Sequence, residues 1–303
     1  MDHKLRKKYY AKAERIVKSW IKTNGSDDYK LYLEDKLKEI IELDDRKKAS
    51  LIVSSNLSPL YFFYLVVTSC CLVKNNNFFD GLKKGYCYKK LSIKFDFAKY
   101  KGRGYRGAGS ISSNDLFSML YMTIVLKDRE ALFLVHDYCQ ELFDNGYFVE
   151  YDSLDVPFGK YAVALGDVYR GKNCASIDRF HPSYDGIFDF WNGPDDKLAN
   201  AIMAALDYHL ISAFDYRLHQ KEHEKMFPEY VYTQGFLSDD VIAFPIEIIA
   251  LYKLREELGL STPEVDHPLM SHNVLEKMKG DIDFSYHDEI TDNLESLLEG
   301  CRV

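Results

Sequence analysis

Three stretches of the chain hold side chains of kinds that can do chemistry together. His219-Gln-Lys-Glu222-His223 fits the pattern His-x-x-Glu-His. On a helix its two imidazoles share a face one turn apart, a zinc-holding arrangement with Glu222 as general base. Glu295 is a candidate third ligand. Against this, Arg217–Lys225 is almost uniformly polar, as at a solvated helix end, and the α+β framework of inverted zincins is not apparent. The second stretch, Lys101-Gly-Arg-Gly-Tyr-Arg-Gly-Ala-Gly-Ser110, sets glycines beside Arg103 and Arg106, and exposed N–H groups with guanidinium groups can cradle a phosphate. A dinucleotide fingerprint also needs a βαβ unit, and a P-loop needs Gly-Lys-Ser/Thr; neither is present, so the segment reads as a flexible basic loop.

The third stretch, Ile177–Asp196, interleaves acids with aromatics. Asp178, Asp185, Asp189, Asp195 and Asp196 alternate with Phe180, Tyr184, Phe188, Phe190 and Trp191. Aromatic anchors inside a ring of negative charge suit the capture of a basic protein, because the aromatics supply burial and the acids supply steering. The candidate partner-binding residues are therefore Asp178, Tyr184, Asp185, Phe188, Asp189, Trp191, Asp195 and Asp196. The competing assignment buries the aromatics in the core and leaves the acids to cap helices, as Asp195 and Asp196 would after Pro194. No Gly-x-Ser-x-Gly elbow appears, and His136 and His209 sit among apolar residues as core histidines do. Neither catalysis nor a bound metal or cofactor is expected; a zinc-dependent hydrolase using His219, Glu222 and His223 is the enzymatic alternative.

The elements that must position these residues are helical. Leu5, Tyr9, Ala13, Ile16 and Trp20 recur at helical spacing up to Gly25, and Ser26 caps a second helix reaching about Asp44. Ala49–Val73 carries no charge, but polar residues interrupt its first half. Ser58 and Pro59 then open a run of about 15 residues, short of the ~20 a membrane span needs, so it reads as a core helix. Residues 78–90 read as a helix broken by Gly81 and Gly85. Leu91, Ile93, Phe95 and Phe97 alternate like a strand, a small β element near 91–97. Helices follow over Asn114–Lys127, Asp128–Phe143, Phe158–Tyr169, Asp195–Phe214, Asp239–Leu258 (bent at Pro245, stopped by Gly259) and Glu289–Leu298, the last capped by Ser285 with Asp288. Residues 172–193 read as a long loop. The expected fold is all-α, an irregular multi-helix bundle of αα-hairpins forming a single domain over 1–303.

Charge and composition narrow the partners. At 47% hydrophobic and 28% charged the chain has ample core to fold, and a net charge of −8 argues against a surface coated by nucleic acid. That net charge conceals a division: residues 1–110 hold 24 basic and 12 acidic side chains, a balance of +12, while 111–303 carry −20. The seam is the glycine-rich loop 101–110. Such asymmetry points to charged partners or to mutual docking of the halves. Basic residues near the N-terminus make a nucleic-acid-binding scaffold a further alternative, although they form no known reader motif. Six cysteines without a Cys-x-x-Cys pair, and a charged N-terminus without an apolar h-region, fit a reducing cytoplasm.

Two segments together resemble a known family. Ser113-Asn-Asp-Leu-Phe-Ser-Met-Leu-Tyr-Met-Thr-Ile-Val-Leu-Lys-Asp-Arg-Glu-Ala-Leu132 resembles immunity protein family 49 of bacterial polymorphic-toxin systems, with Asp115 before an apolar helix and Asp128–Leu132 turning into the next. Ala243–Tyr252, the stop at Gly259 and Pro263-Glu-Val-Asp-His-Pro-Leu269 resemble its closing helix and acidic, proline-containing tail. Leu198–Phe214 running into His219–Phe227 sits where the family has its penultimate long helix, and the resemblance spans roughly 45–275. It implies a non-enzymatic, cytoplasmic, all-α antidote that binds and occludes a cognate toxin. Many such toxins are nucleases, whose basic clefts attract acidic surfaces.

Overall fold

Capping residues and apolar period define the helices from the first turn. In the computed structural model, which describes residues 1–74, 77–100, 113–144, 157–212, 243–270, 274–278, 283 and 285–300, α1 (His3–Asn24) is capped by Asp2 and ends at Gly25. The Ser26 hydroxyl caps α2 (Asp27–Ile41) by accepting from the Tyr29 N–H, and Asp27 and Asp28 complement its positive end. Next come α3 (Arg46–Val73), α4 (Phe79–Tyr100), α5 (Ser113–Val125), α6 (Arg129–Asp144) and α7 (Pro157–Tyr169). The chain continues through α8 (Pro182–Asp189), α9 (Asp195–Ser212), α10 (Ile246–Glu257) and α11 (Glu289–Glu299). Short turns lie at Cys174–Ser176, Pro268–Met270 and Val274–Lys277, and no strand occurs among the described residues. The fold is all-α.

The strand expected over 91–97 is instead the second half of α4. This helix packs against α3, α5 and α11, so Leu91, Ser92, Ile93, Phe95 and Asp96 are all buried. A helix enclosed on several sides loses its one-sided apolar stripe, and the residual pattern resembles alternation. Nor do Gly81 and Gly85 break it. A Cβ on Gly81 would lie 2.8 Å from Thr68 Oγ1, and one on Gly85 would lie 2.7 Å from Leu65 Cδ2. Both glycines let the backbones of α3 and α4 approach along their length.

Pro59 does not open its helix either. The Asp45 carboxylate caps α3 by accepting from Lys48 N–H, and the helix passes through Pro59. The missing proline N–H frees the Ser55 carbonyl. Both residues are exposed, so water can meet that carbonyl. Ile52–Leu72 within α3 is long and apolar enough to cross a membrane by length and composition, with mean hydropathy 1.3, and 61% of its most apolar window is buried in the fold.

The turn between α5 and α6 has almost no linker. Lys127 takes a left-handed conformation (φ 56°), and Asp128 then caps α6 by accepting from Ala131 N–H. That carboxylate also accepts from Tyr86 OH (2.7 Å) and Lys90 Nζ (2.6 Å) of α4. Burial works to raise the Asp128 carboxyl, yet these bonds hold it below its ordinary range. At the other end of the chain Asp288, not Ser285, caps α11. Asp288 accepts from Thr291 N–H while the Thr291 hydroxyl accepts from Asp288 N–H. Tyr88 and Tyr286 donate to the same carboxylate and dock α11 on α4.

The charge division is partly internal glue. Lys89 pairs with Asp115 (3.1 Å), Lys90 with Asp128 (2.6 Å) and Arg6 with Asp207 (2.6 Å), each joining the basic segment to the acidic one. Buried apolar residues from Tyr9 to Leu298 form one contiguous cluster. Asp207 also meets the Met1 amino group at 2.8 Å and the His267 imidazole at 3.4 Å. Burial alone would raise its carboxyl, but these contacts hold it at about 2. An unfolded Asp titrates near 3.9, so folding with Asp207 ionised contributes about 2 kcal/mol above pH ~4, lost as pH falls toward 2. Comparing urea unfolding of wild type and Asp207→Asn from pH 5 to pH 2 should show that extra decline in wild type only. Parallel curves would reject it.

Candidate functional site

The segment expected to face a partner is built differently from a loop. His181 caps α8, its Nδ1 accepting from Ser183 N–H, and Pro182 fills the first turn. Tyr184, Ile187, Phe188 and Trp191 then recur at i, i+3, i+4 and i+7, a helical stripe that the interleaved acids conceal. That stripe faces inward. Tyr184 is 0% exposed, Phe188 3% and Trp191 5%. Tyr184 stacks on Tyr161 of α7 (centroids 4.3 Å apart) and meets Tyr208 of α9 edge-on, while Trp191 stacks on Phe188. Tyr184, Phe188 and Trp191 are thus core residues, which corrects their assignment as partner anchors.

The five acids divide by role. Asp185 accepts from the N–H groups of Phe180 (2.8 Å) and His181 (3.0 Å) and so fixes the approach to α8. Asp189 is half exposed and pairs with Arg179 at 2.8 Å. Asp178 is exposed, and so are Asp195 and Asp196 in the first turn of α9. Four carboxylates therefore stand at the surface; of the aromatics expected beside them only Phe180 and Phe190 keep partial exposure.

Apolar contact area beside acids occurs farther along the chain. Gly259, at φ 70°, ends α10, with Leu260 N–H bonding the Arg255 carbonyl and Gly259 N–H that of Glu256. Residues 260–266 then form a strap without helix or strand. Tyr252 OH donates to the Pro263 carbonyl (2.6 Å), and Arg255 donates to the Ser261 and Trp191 carbonyls. Burial lowers the Arg255 pKa from its ordinary value. Between α10, this strap and the 274–278 turn lies an open groove of about 800 Å³. Tyr252, Leu260, Val265, Met270 and Met278 give it apolar surface, and Glu256, Glu264 and Glu276 are exposed along it. Lys253 also lines it, but only 4% of its side chain is exposed and its Nζ lies 3.1 Å from Glu256 Oε2.

No protein-family model, no curated protein and no solved structure matches this chain. Function must therefore be argued from its own geometry.

A second pocket of about 420 Å³ is lined by Trp20, Tyr29, Pro59, Phe62 and Asp115, but buried Lys89 already answers the Asp115 charge. His219, Glu222, His223 and the loop 101–110 lie outside the described residues. Glu295, once a candidate ligand, is exposed on α11, and no three His, Cys, Asp or Glu side chains converge on a metal-sized site among the described residues. His209 and Glu247, by contrast, form a buried pair at 2.7 Å that spacing did not reveal, because its members come from α9 and α10. His136 is likewise buried, with Nε2 3.2 Å from Asp167 of α7. Both histidines have structural partners. The described cysteines are free thiols, and burial pushes Cys174 up to about 11 and Cys87 to about 12.

Proposed function

We propose that the protein is a cytoplasmic immunity protein that binds and neutralises a cognate, basic toxin, with no catalysis of its own. One observation carries the reading: after the basic and acidic segments have paired internally, the C-terminal region keeps exposed carboxylates on a rigid frame. Asp178, Asp195 and Asp196 stand there exposed, beside Asp189 in its pair with Arg179, and α8 and α9 have their inner faces locked into the core. Fixed negative charge of this kind steers a basic partner and speeds encounter. The resemblance to immunity protein family 49 agrees with it, and a nuclease, whose substrate cleft is basic, is the toxin class that such a surface fits.

The test is whether the gene immediately upstream encodes a toxin domain and whether that domain binds this protein, with association then followed by stopped-flow at low and high salt. Replacing Asp178, Asp189, Asp195 and Asp196 together by Asn should slow association by roughly tenfold at low salt, with less effect at high salt. Wild-type protein that neither binds nor protects cells from that toxin would sink the proposal.

A further inference from the structure

The predicted contact segment supplies charge but has Tyr184, Phe188 and Trp191 in the core and Phe180 and Phe190 half-buried, so a larger apolar contact surface is sought elsewhere. We infer that the groove between α10 and the 260–266 strap is the docking site for a basic segment of the partner protein that carries apolar anchors between its lysines or arginines. The inference rests on the toxin-binding reading and names the surface and the chemistry that it uses.

Charge complementarity identifies the occupant. Glu256, Glu264 and Glu276 are exposed along the groove, and Asp266 lies exposed on the same strap. Among the described residues that line the groove the one lysine, Lys253, is buried against Glu256. An acidic segment would meet unbalanced repulsion there, whereas a basic segment gains steering and rim contacts. The surface between these acids is Tyr252, Leu260, Val265 and Met270, with Met278 buried beneath it. Met270, backed by buried Met278, gives it a shape that adapts to an inserted side chain, and Tyr252 offers a large contact face at low entropic cost. The frame is held firmly: Tyr252 OH bonds the Pro263 carbonyl at 2.6 Å, and Arg255 ties Ser261 to α10. A groove of about 800 Å³ admits several side chains of an extended or helical segment.

The full-length protein is titrated by fluorescence anisotropy with a labelled 16-residue peptide of Lys-Leu-Leu-Lys repeats. Controls replace Leu by Ser or Lys by Glu, and amide NMR maps the site. The Lys-Leu peptide should bind and shift resonances of 252–278. The Ser and Glu controls should bind at least tenfold more weakly. E256Q/E264Q/E276Q should lose roughly tenfold affinity, from three exposed charge pairs acting together, and E264Q/E276Q, which keeps the Lys253–Glu256 pair, should lose part of that affinity without changing thermal stability. Met270→Asp should lose affinity even if the glutamates are intact. Binding that shifts other residues, or equal affinity for the Ser control and the triple variant, would overturn the inference. So would a homodimer in sedimentation that the triple variant abolishes, since a second copy would then fill the groove. Toxin neutralisation separates the two readings: a toxin neutralised equally well by the triple variant removes the groove and leaves the function. Peptide binding without any toxin binding removes the function and leaves the groove.

Discussion

Glu247→Ala should destabilise the protein by about 3–5 kcal/mol, the cost of stranding one member of a fully buried polar pair. Glu247 Oε1 lies 2.7 Å from His209 Nδ1, and both side chains are 0% exposed. The pair clamps α9 to α10, the helix that leads into the strap and groove. Without the carboxylate, the imidazole would lose its 2.7 Å partner in the interior. Around the pair, burial first and the Glu247 charge second raise the phenols of Tyr161 and Tyr184 far above their ordinary value. These rings are therefore held neutral, and Glu247 is set in an aromatic rather than a solvated surrounding. Replacing both partners by Leu should recover part of the loss, because neither member of the pair is then buried without the other. Urea unfolding midpoints of the two single variants and the double variant decide the matter. A loss under about 1 kcal/mol for Glu247→Ala, or a double variant as unstable as the sum of its singles, would reject the account.

Trp191→Ala should cost about 3–5 kcal/mol, as large aromatic truncations in a core do. The ring is 5% exposed, stacks on Phe188 with 10° between planes, and lies 5.1 Å from the Arg255 guanidinium. Arg255 also bonds the Trp191 carbonyl at 2.6 Å, so the cavity would open beside the residue that ties down the strap. Trp191→Phe should cost less, since part of the stacking area survives. The measurement that matters is stability against affinity. A well-folded Trp191→Ala with undiminished stability and lost toxin binding would return this side chain to the interface, against the structure.

These two residues show which kinds of inference the sequence supports. Helix positions were legible because they depend on neighbours in the chain: Ser26 caps α2, Gly25 and Gly259 stop α1 and α10, and Asp195 and Asp196 sit in the first turn of α9. Readings failed where a local signal had a tertiary use. Gly81 and Gly85 look like breaks but are contact points for α3. Pro59 looks like a first turn but lies on an exposed flank of a continuous helix. Alternation in 91–97 came from a helix covered on several sides. The α8 stripe was visible in principle, since Tyr184, Ile187, Phe188 and Trp191 keep helical spacing, but the acids at 185 and 189 drew the eye to alternation.

By itself the sequence determined an all-α fold, most helix ends and a charge division of +12 against −20. Caps, stops and period act within a turn or two, so the information sits next to the structure that it controls. Only the tertiary structure decided which aromatics face inward, that Arg6 and Asp207 meet, and that acids and apolar surface share a groove beside α10. Burial belongs to two surfaces at once, and the second surface is supplied by residues far along the chain.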